Sequence, residues 1–318
     1  MNYKIKEGNY EKQGVQQLGK WTIFTFEGEK EDDCSVVLLN NEKEVVEKIE
    51  VPKEYCMGSL RSVAVENLKT DELLYMFEVN GKRVLDPYAH RIVGREVWND
   101  EKRMPDAVYG AFVPSGFAWG DDRSPEIDRS QMIMYKLHVR GFSMDAKAST
   151  TNGTFQAVSA RIPYLQGIGV TTVELMPVYE FEERIFPEEK VLPDYIQWEA
   201  EDADMIVPPE ETKVLPKLNF WGYTKGNYFA VKSSYARNAA KASMEYKALI
   251  RKLHQHGMEC VMEFFFPEGT DQNLILAALR FWVMEWSMFR ITPMEKERNP
   301  LRIGVWAIVF LACIRSWV

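Results

Sequence analysis

Short apolar runs separated by charged or glycine-bearing turns fill the first quarter of the chain. Lys20 to Phe26, Ser35 to Leu39, Val45 to Val51, Ser62 to Val65 and Leu73 to Val79 are rich in β-branched and aromatic residues. That spacing predicts a β-sandwich. Asn80-Gly81 follows the last run; both positions tolerate positive φ, so a tight turn into Lys82 to Leu85 as hairpin partner is expected. Gly94 to Arg129 has little periodicity and many Asp, Arg, Pro and Gly residues, and reads as a linker.

Beyond it the pattern changes to alternating strand and helix. In Met132 to Phe142 (MIMYKLHVRGF) the apolar content on both faces predicts a strand buried on both sides, as parallel strands are. Asn152 or Thr154 can cap a helix whose inner face is Phe155, Val158, Ile162 and Leu165, with Gly167 as the stop. Gly169 to Pro177 is a second buried strand, giving a parallel crossover. Ser243 can cap the next helix, with Tyr246, Leu249, Ile250 and Leu253 inward and Gly257 at its end. Glu259 to Phe266 is the third strand, and Gln272 to Met288 a helix. Between the second strand and these elements lies Phe181 to Leu218, dominated by Glu, Asp and Pro and too long for an ordinary strand–helix connection. The division expected is residues 1–93, a linker 94–131, and 132–318.

Composition narrows the function classes. A chain of 318 residues with 46% hydrophobic and 27% charged residues suits a folded protein of about two domains. The 47 acidic against 39 basic residues leave a formal charge of −8, so no broad positive field exists for a phosphate backbone, and no nucleic-acid partner is expected. Cys34, Cys56, Cys260 and Cys313 are far apart, without zinc-type spacing, and read as free thiols. The N-terminus carries no apolar signal region, which makes the cytoplasm the expected location. The apolar run Ile303 to Ile314 is 12 residues long, short of the roughly 20 needed to cross a bilayer, so no membrane partner is expected. His254 and His256, two apart on a helix, point to different faces; a surface role rather than a shared metal follows.

Five stretches resemble the debranching branch of the α-amylase superfamily (glycoside hydrolase family 13), the pullulanases, isoamylases and glycogen-debranching enzymes. They are YMFEVNGKRVLDPYAHRIVG (Tyr75 to Gly94), MIMYKLHVRGF, Gly153 to Glu183 with IPYL, GVT and VELMPVYEF in order, NFWGYTKGNYFAVKSSYA (Asn219 to Ala236), and ECVMEFFF. The resemblance implies a carbohydrate-binding, early-set type β-sandwich followed by a (β/α)8 TIM-type barrel, here incomplete, with about three strands. It implies an α-glucan oligo- or polysaccharide as partner, and hydrolysis of α-1,6 links in glycogen or pullulan as the family activity. In the family the tyrosine of WGY lines the sugar site, so the resemblance carries substrate binding to Tyr223, with Trp221 beside it; Thr224 departs from the usual Asn or Asp. The DPYA segment, Asp86 to Ala89, is expected to make a packed turn, and Trp98, Phe117 and Trp119 to pack rather than stack on sugar.

The same comparison removes catalysis. Glu263 stands for the family's Asp, Pro267 for its Asn and Glu268 for its His, and a proline has no amide to donate. From Ser287 the similarity stops and no strand bearing the nucleophile follows, while retaining hydrolysis needs two carboxyl groups about 5–5.5 Å apart. Glu295 and Glu297 read as ordinary charges. No residue is therefore assigned a catalytic role, and no cofactor is expected; calcium is compatible with the superfamily, but no ligands for it can be named. The expectation is a family member inactive alone, with two alternatives: a non-catalytic α-glucan-binding pseudoenzyme, or a truncated or frameshifted fragment whose third strand leaves an open edge.

Overall fold

Apolar side chains at every second position give the first unit two antiparallel sheets with a shared interior. One sheet runs in the order Ile5–Glu7, Leu60–Glu66, Trp21–Glu27, Gly14–Leu18, with Cys56–Met57 beside Leu60–Glu66. The other runs Ile92–Val93, Tyr109–Ala111, Leu74–Val79, Cys34–Leu39, Val45–Val51, with Lys82–Val84 beside Leu74–Val79. Phe24, Phe26 and Val63 from the first meet Val36, Leu38, Tyr75 and Phe77 from the second in one core, with Phe26 and Phe77 stacked at 4.2 Å. Each such aromatic contributes roughly 1.5–3 kcal/mol by leaving water. This is the expected β-sandwich, in a computed structural model that describes residues 3–103, 107–113, 116–144, 151–185, 216–267, 269–286, 291–293 and 306–311, with 283–286, 291–293 and 306–311 as backbone alone.

Polar groups close the sandwich at its ends. Arg61 is fully buried, and its guanidinium donates to the carbonyls of Glu29, Lys30, Val51 and Pro52 at 2.7–3.2 Å, joining two loops. Asn80 and Gly81 form the predicted tight turn, both with positive φ, 50° and 78°. The DPYA segment packs as expected: Asp86 is buried and accepts from the Tyr75 hydroxyl at 2.7 Å and the Tyr88 amide at 2.9 Å, while the Tyr88 ring lies 5.0 Å from Phe229 of the second unit. Tyr109–Ala111, from the stretch expected to be linker, is a strand of the second sheet, pairing with both Ile92–Val93 and Leu74–Val79.

In the second unit Met134–Leu137, Thr172–Leu175 and Glu259–Phe266 lie side by side and parallel, with Lys136 opposite Glu174 and Glu174 opposite Val261. Leu137, Leu175, Cys260 and Met262 pack on Phe155, Val158, Leu165, Leu249 and Leu253 of the connecting helices. Four expectations need correction here. The first strand is shorter than predicted and is not buried on both faces, since Met134 is 39% exposed and its neighbour on the same face is Lys136. The single helix predicted after it is two, Phe155–Ala160 and Ile162–Gly167, broken at Arg161 because Pro163 has no amide to continue the ladder; Thr154 does cap the first. Ser243 is not a cap: the helix Ala242–Gln255 begins before it, with Lys241 as its N-cap and no side-chain cap bond, while Glu245 of its first turn accepts the amides of Arg237 and Asn238 in the preceding segment at 2.8 Å. The third strand does not present an open edge, because the backbone of Trp306–Leu311 pairs with it antiparallel and Ile291–Pro293 pairs in turn with that strand; an unpaired row of N–H and C=O groups is a template for such addition.

Gln272–Trp286 forms the last expected helix. No described helix is long and apolar enough to cross a membrane. Cys34, Cys56 and Cys260 are free thiols; Cys313, Glu268, Glu295, Glu297, Ser287 and the bulk of the acidic insertion, 186–215, lie outside the described residues.

Candidate functional site

The loop 219–225 is positioned by short-range polar bonds and one glycine. Asn219 accepts the Gly222 amide at 3.1 Å and donates to the Glu182 carbonyl at 3.1 Å, while the buried Tyr179 hydroxyl donates to Gly222 O at 3.0 Å, with Thr224 O at 3.1 Å as its alternative acceptor. Gly222 has φ +79°, and a Cβ there would stand 2.5 Å from the Phe181 ring. The loop therefore lies flat on Phe181 and presents two aromatics at the C-terminal ends of the parallel strands. Trp221 is 53% exposed, edge-on to His138 at 5.8 Å and to Phe220 at 5.0 Å. Tyr223 is half-buried, and its hydroxyl donates to Glu263 at 3.0 Å. The two residues singled out from the sequence are thus brought to one loop, one as a free aromatic surface and one already engaged through its hydroxyl.

Beneath Tyr223, parallel register gathers charges that the sequence does not bring together. Lys136 Nζ lies 2.6 Å from Glu263 and 3.6 Å from Glu174, and 5.8 Å from the centre of the Tyr223 ring. Burial raises the Glu174 carboxyl above its usual range, with Lys136 opposing. Burial disfavours the Lys136 charge, but the Glu263 carboxylate outweighs it and the amine is pushed above its ordinary value. Tyr223 is pushed up to about 12, by burial and then by Glu263, and stays a donor at neutral pH. The one signal available in sequence was charge at alternating positions of otherwise apolar strands, Lys136 in the first, Glu174 in the second, and Glu259 and Glu263 in the third.

His138 forms the other wall. Burial lowers its pKa to about 4, although the Phe220 carbonyl pulls the other way, so the ring is neutral. Gly141 N–H donates to Nδ1 at 3.0 Å, which puts the proton on Nε2, where it faces Phe220 O and the Tyr235 hydroxyl, each at 2.8 Å. Trp98, expected to pack, does so: it stacks on Tyr235 at 5.6 Å and meets His138, Phe181 and Phe220 edge-on.

A buried ionic clamp fixes this wall to the exit from the sandwich. Lys232 is fully buried and reaches Glu180 and Glu183 at 2.7 Å and the Phe181 carbonyl at 2.9 Å. Glu182 pairs with Arg95 and Arg103, burial raising its carboxyl but the Arg184 amide and these guanidinia lowering it overall. Asn99 meets both Glu183 and Arg184. Such a set is costly to desolvate and strongly disfavours loss of any one partner.

His254, expected at the surface, is buried, with Nδ1 2.8 Å from Asp122; its ring packs under the segment 119–128 rather than facing water. His256 bonds only the Lys252 carbonyl, so the two histidines do not converge. Among the described residues no cluster of three or more His, Cys, Asp or Glu could hold a metal ion. Pro267 offers no amide, and its carbonyl is taken by Thr270 at 2.7 Å.

No family model matches the chain, but individual relatives do. It is 29% identical to isoamylase 3, chloroplastic, of Oryza sativa subsp. japonica over 252 aligned residues, covering 72% of this chain and 30% of that protein. It is 27% identical to pullulanase A of Streptococcus pneumoniae over 308 aligned residues, covering 86% of this chain and 22% of that protein. The chain thus spans less than a third of the length of these curated relatives. Among solved structures, the pullulanase of Paenibacillus barengoltzii in complex with maltohexaose and α-cyclodextrin shares the fold, with a TM-score of 0.62 at 19% identity, covering 88% of this chain and 48% of that one. By motif order and relatives, the homologues of this chain are debranching enzymes of the isoamylase and pullulanase group.

Proposed function

We propose that the chain engages α-glucan at the Trp221–Tyr223 loop and does not hydrolyse it unaided. The observation that carries the reading is the exposed Trp221 ring beside the half-buried Tyr223 at the C-terminal ends of three parallel strands. Aromatic faces suit the C–H surface of a pyranose, because they bury apolar area and leave the hydroxyls free to bond. Ligands sit at this end in (β/α) barrels; the parallel strands read as the first part of one, over 132–318, preceded by a sandwich, 1–93, and a joint, 94–131. The debranching relatives support glycogen- or pullulan-type glucan, with α-1,6 cleavage as the family activity.

The case against turnover rests on chemistry. Retaining hydrolysis requires a free nucleophile and an acid about 5–5.5 Å apart, whereas Glu174 and Glu263 both lean on one ammonium, Lys136, and Glu263 also holds Tyr223. The test is to incubate the purified chain with pullulan and to titrate it with maltohexaose. Binding in the millimolar range that Trp221→Ala weakens, with no reducing ends released, is the expected result. Release of reducing ends abolished by Glu263→Gln would refute the inactive reading, and absence of binding at millimolar sugar would refute glucan recognition.

A further inference from the structure

We infer that the chain carries a second carbohydrate site at the opposite end of the parallel sheet, a cavity of about 410 Å³ lined by Trp119, Asp121, Asp122, Arg123, Arg251 and His254. Its position follows from the topology. Helix Ala242–Gln255 runs back along the sheet and delivers His254 to the N-terminal end of the third strand. The segment carrying Trp119 to Arg123 is held at that same end, since the Ile127 amide donates to Glu259, the first residue of the strand, at 2.9 Å. The Trp221–Tyr223 loop belongs to the other end, where Tyr223 meets Glu263.

The lining selects a neutral, hydroxyl-rich ligand. Two carboxylates and two guanidinium groups cancel in formal charge, so an anion meets Asp121 and Asp122 and a cation meets Arg123 and Arg251. Sugar hydroxyls both donate and accept, and use both kinds of wall, while Trp119 supplies apolar surface for a ring. The walls are already built: the Arg251 guanidinium donates to the Ala118 carbonyl at 2.9 Å and lies over the Phe117 ring at 4.9 Å, and Phe117 packs edge-on to Trp119 at 4.8 Å. His254 forms part of the floor: its side chain is 1% exposed, and its Nδ1 lies 2.8 Å from Asp122, which fixes that carboxylate in the wall. The volume lies within the range of small-ligand clefts, about 300–1,000 Å³.

The choice of α-glucan as the sugar rests on the function proposed above; the cavity and its chemistry do not. The experiment is calorimetric titration of the full chain with maltohexaose, in the wild type, Trp221→Ala, Trp119→Ala and the double variant Asp121→Ala/Arg123→Ala. Asp121 and Arg123 are exposed, so the double variant should melt with the wild type and serves as the control if Trp119→Ala fails to fold. Trp221→Ala is expected to leave a binding component that the double variant weakens about tenfold or more, the worth of one or two hydrogen bonds. Loss of all binding in Trp221→Ala, or binding unmoved in the double variant, overturns the second site and leaves the first. Binding unmoved by Trp221→Ala but abolished by the double variant does the reverse, and no binding in any protein overturns both.

Discussion

Asp86 makes stability fall as pH rises. The carboxyl is buried, and its two partners, the Tyr75 hydroxyl and the Tyr88 amide, are neutral donors. Burial outweighs those two bonds and raises its pKa from 3.8 to about 6. The folded state therefore binds a proton over a window in which the unfolded state has released it, and the group's contribution is complete below pH 3.8 and lost as pH rises through 6. At about 1.4 kcal/mol per pH unit, the full loss is about 3 kcal/mol. Asp86→Asn keeps an acceptor for the Tyr88 amide, lets the Tyr75 hydroxyl turn to accept, and cannot ionise. Urea unfolding of both proteins between pH 4 and 7.5, followed by far-ultraviolet circular dichroism, isolates the effect as the difference between the curves. Asp86→Asn should gain on the wild type by about 2–3 kcal/mol across that range. Two curves that stay parallel would refute the reasoning, since they would mean that Asp86 has the same proton affinity folded and unfolded.

Other outcomes follow from the site. Lys232→Met leaves Glu180 and Glu183 buried without their cation and should cost about 3–5 kcal/mol in thermal or urea unfolding, part of it recovered by adding Glu180→Gln. Gly222→Ala puts a Cβ against Phe181 at a positive φ, and should destabilise by about 1–3 kcal/mol and weaken maltohexaose binding in titration calorimetry. Lys136→Met removes the ammonium shared by Glu174 and Glu263; because that side chain is 41% exposed, solvent reduces the cost to about 1–2 kcal/mol in urea unfolding.

The strands that bury a face were legible in the alternation of residues such as Phe24 and Phe26 or Val36 and Leu38. Asn80-Gly81 announced its own turn. Ile5–Glu7 and Gly14–Leu18 were not legible, because edge strands face water on one side and their sequences, IKE and GVQQL, carry as much polar as apolar character. Pro163 was visible in the sequence, but the spacing of Ile162 and Leu165 with Phe155 hid that it divides the helix. Ser243 looked like a cap by type, yet the helix begins at Ala242, which puts Ser243 inside its first turn. At the site, Tyr223 and Trp221 were readable from the motif, whereas the Lys136, Glu174 and Glu263 cluster exists only once three strands lie in parallel register. His254 was misplaced because a helix pattern says which side chains diverge, and not that a distant Asp122 will fold over one of them.

The clamp around Lys232 and Glu182 makes the joint between the two units a weld and not a hinge. Moving the sandwich against the sheet would tear Arg95 and Arg103 from Glu182 and Asn99 from Glu183, where only the Glu182 carboxylate is a quarter exposed to water that could replace them. Tyr88 packs within the core of the second unit and Ala230 within that of the first. Heat should therefore dissolve the two as one body, in a single calorimetric transition, and a sugar settling on Trp221 should tighten the sandwich as well as the loop it touches.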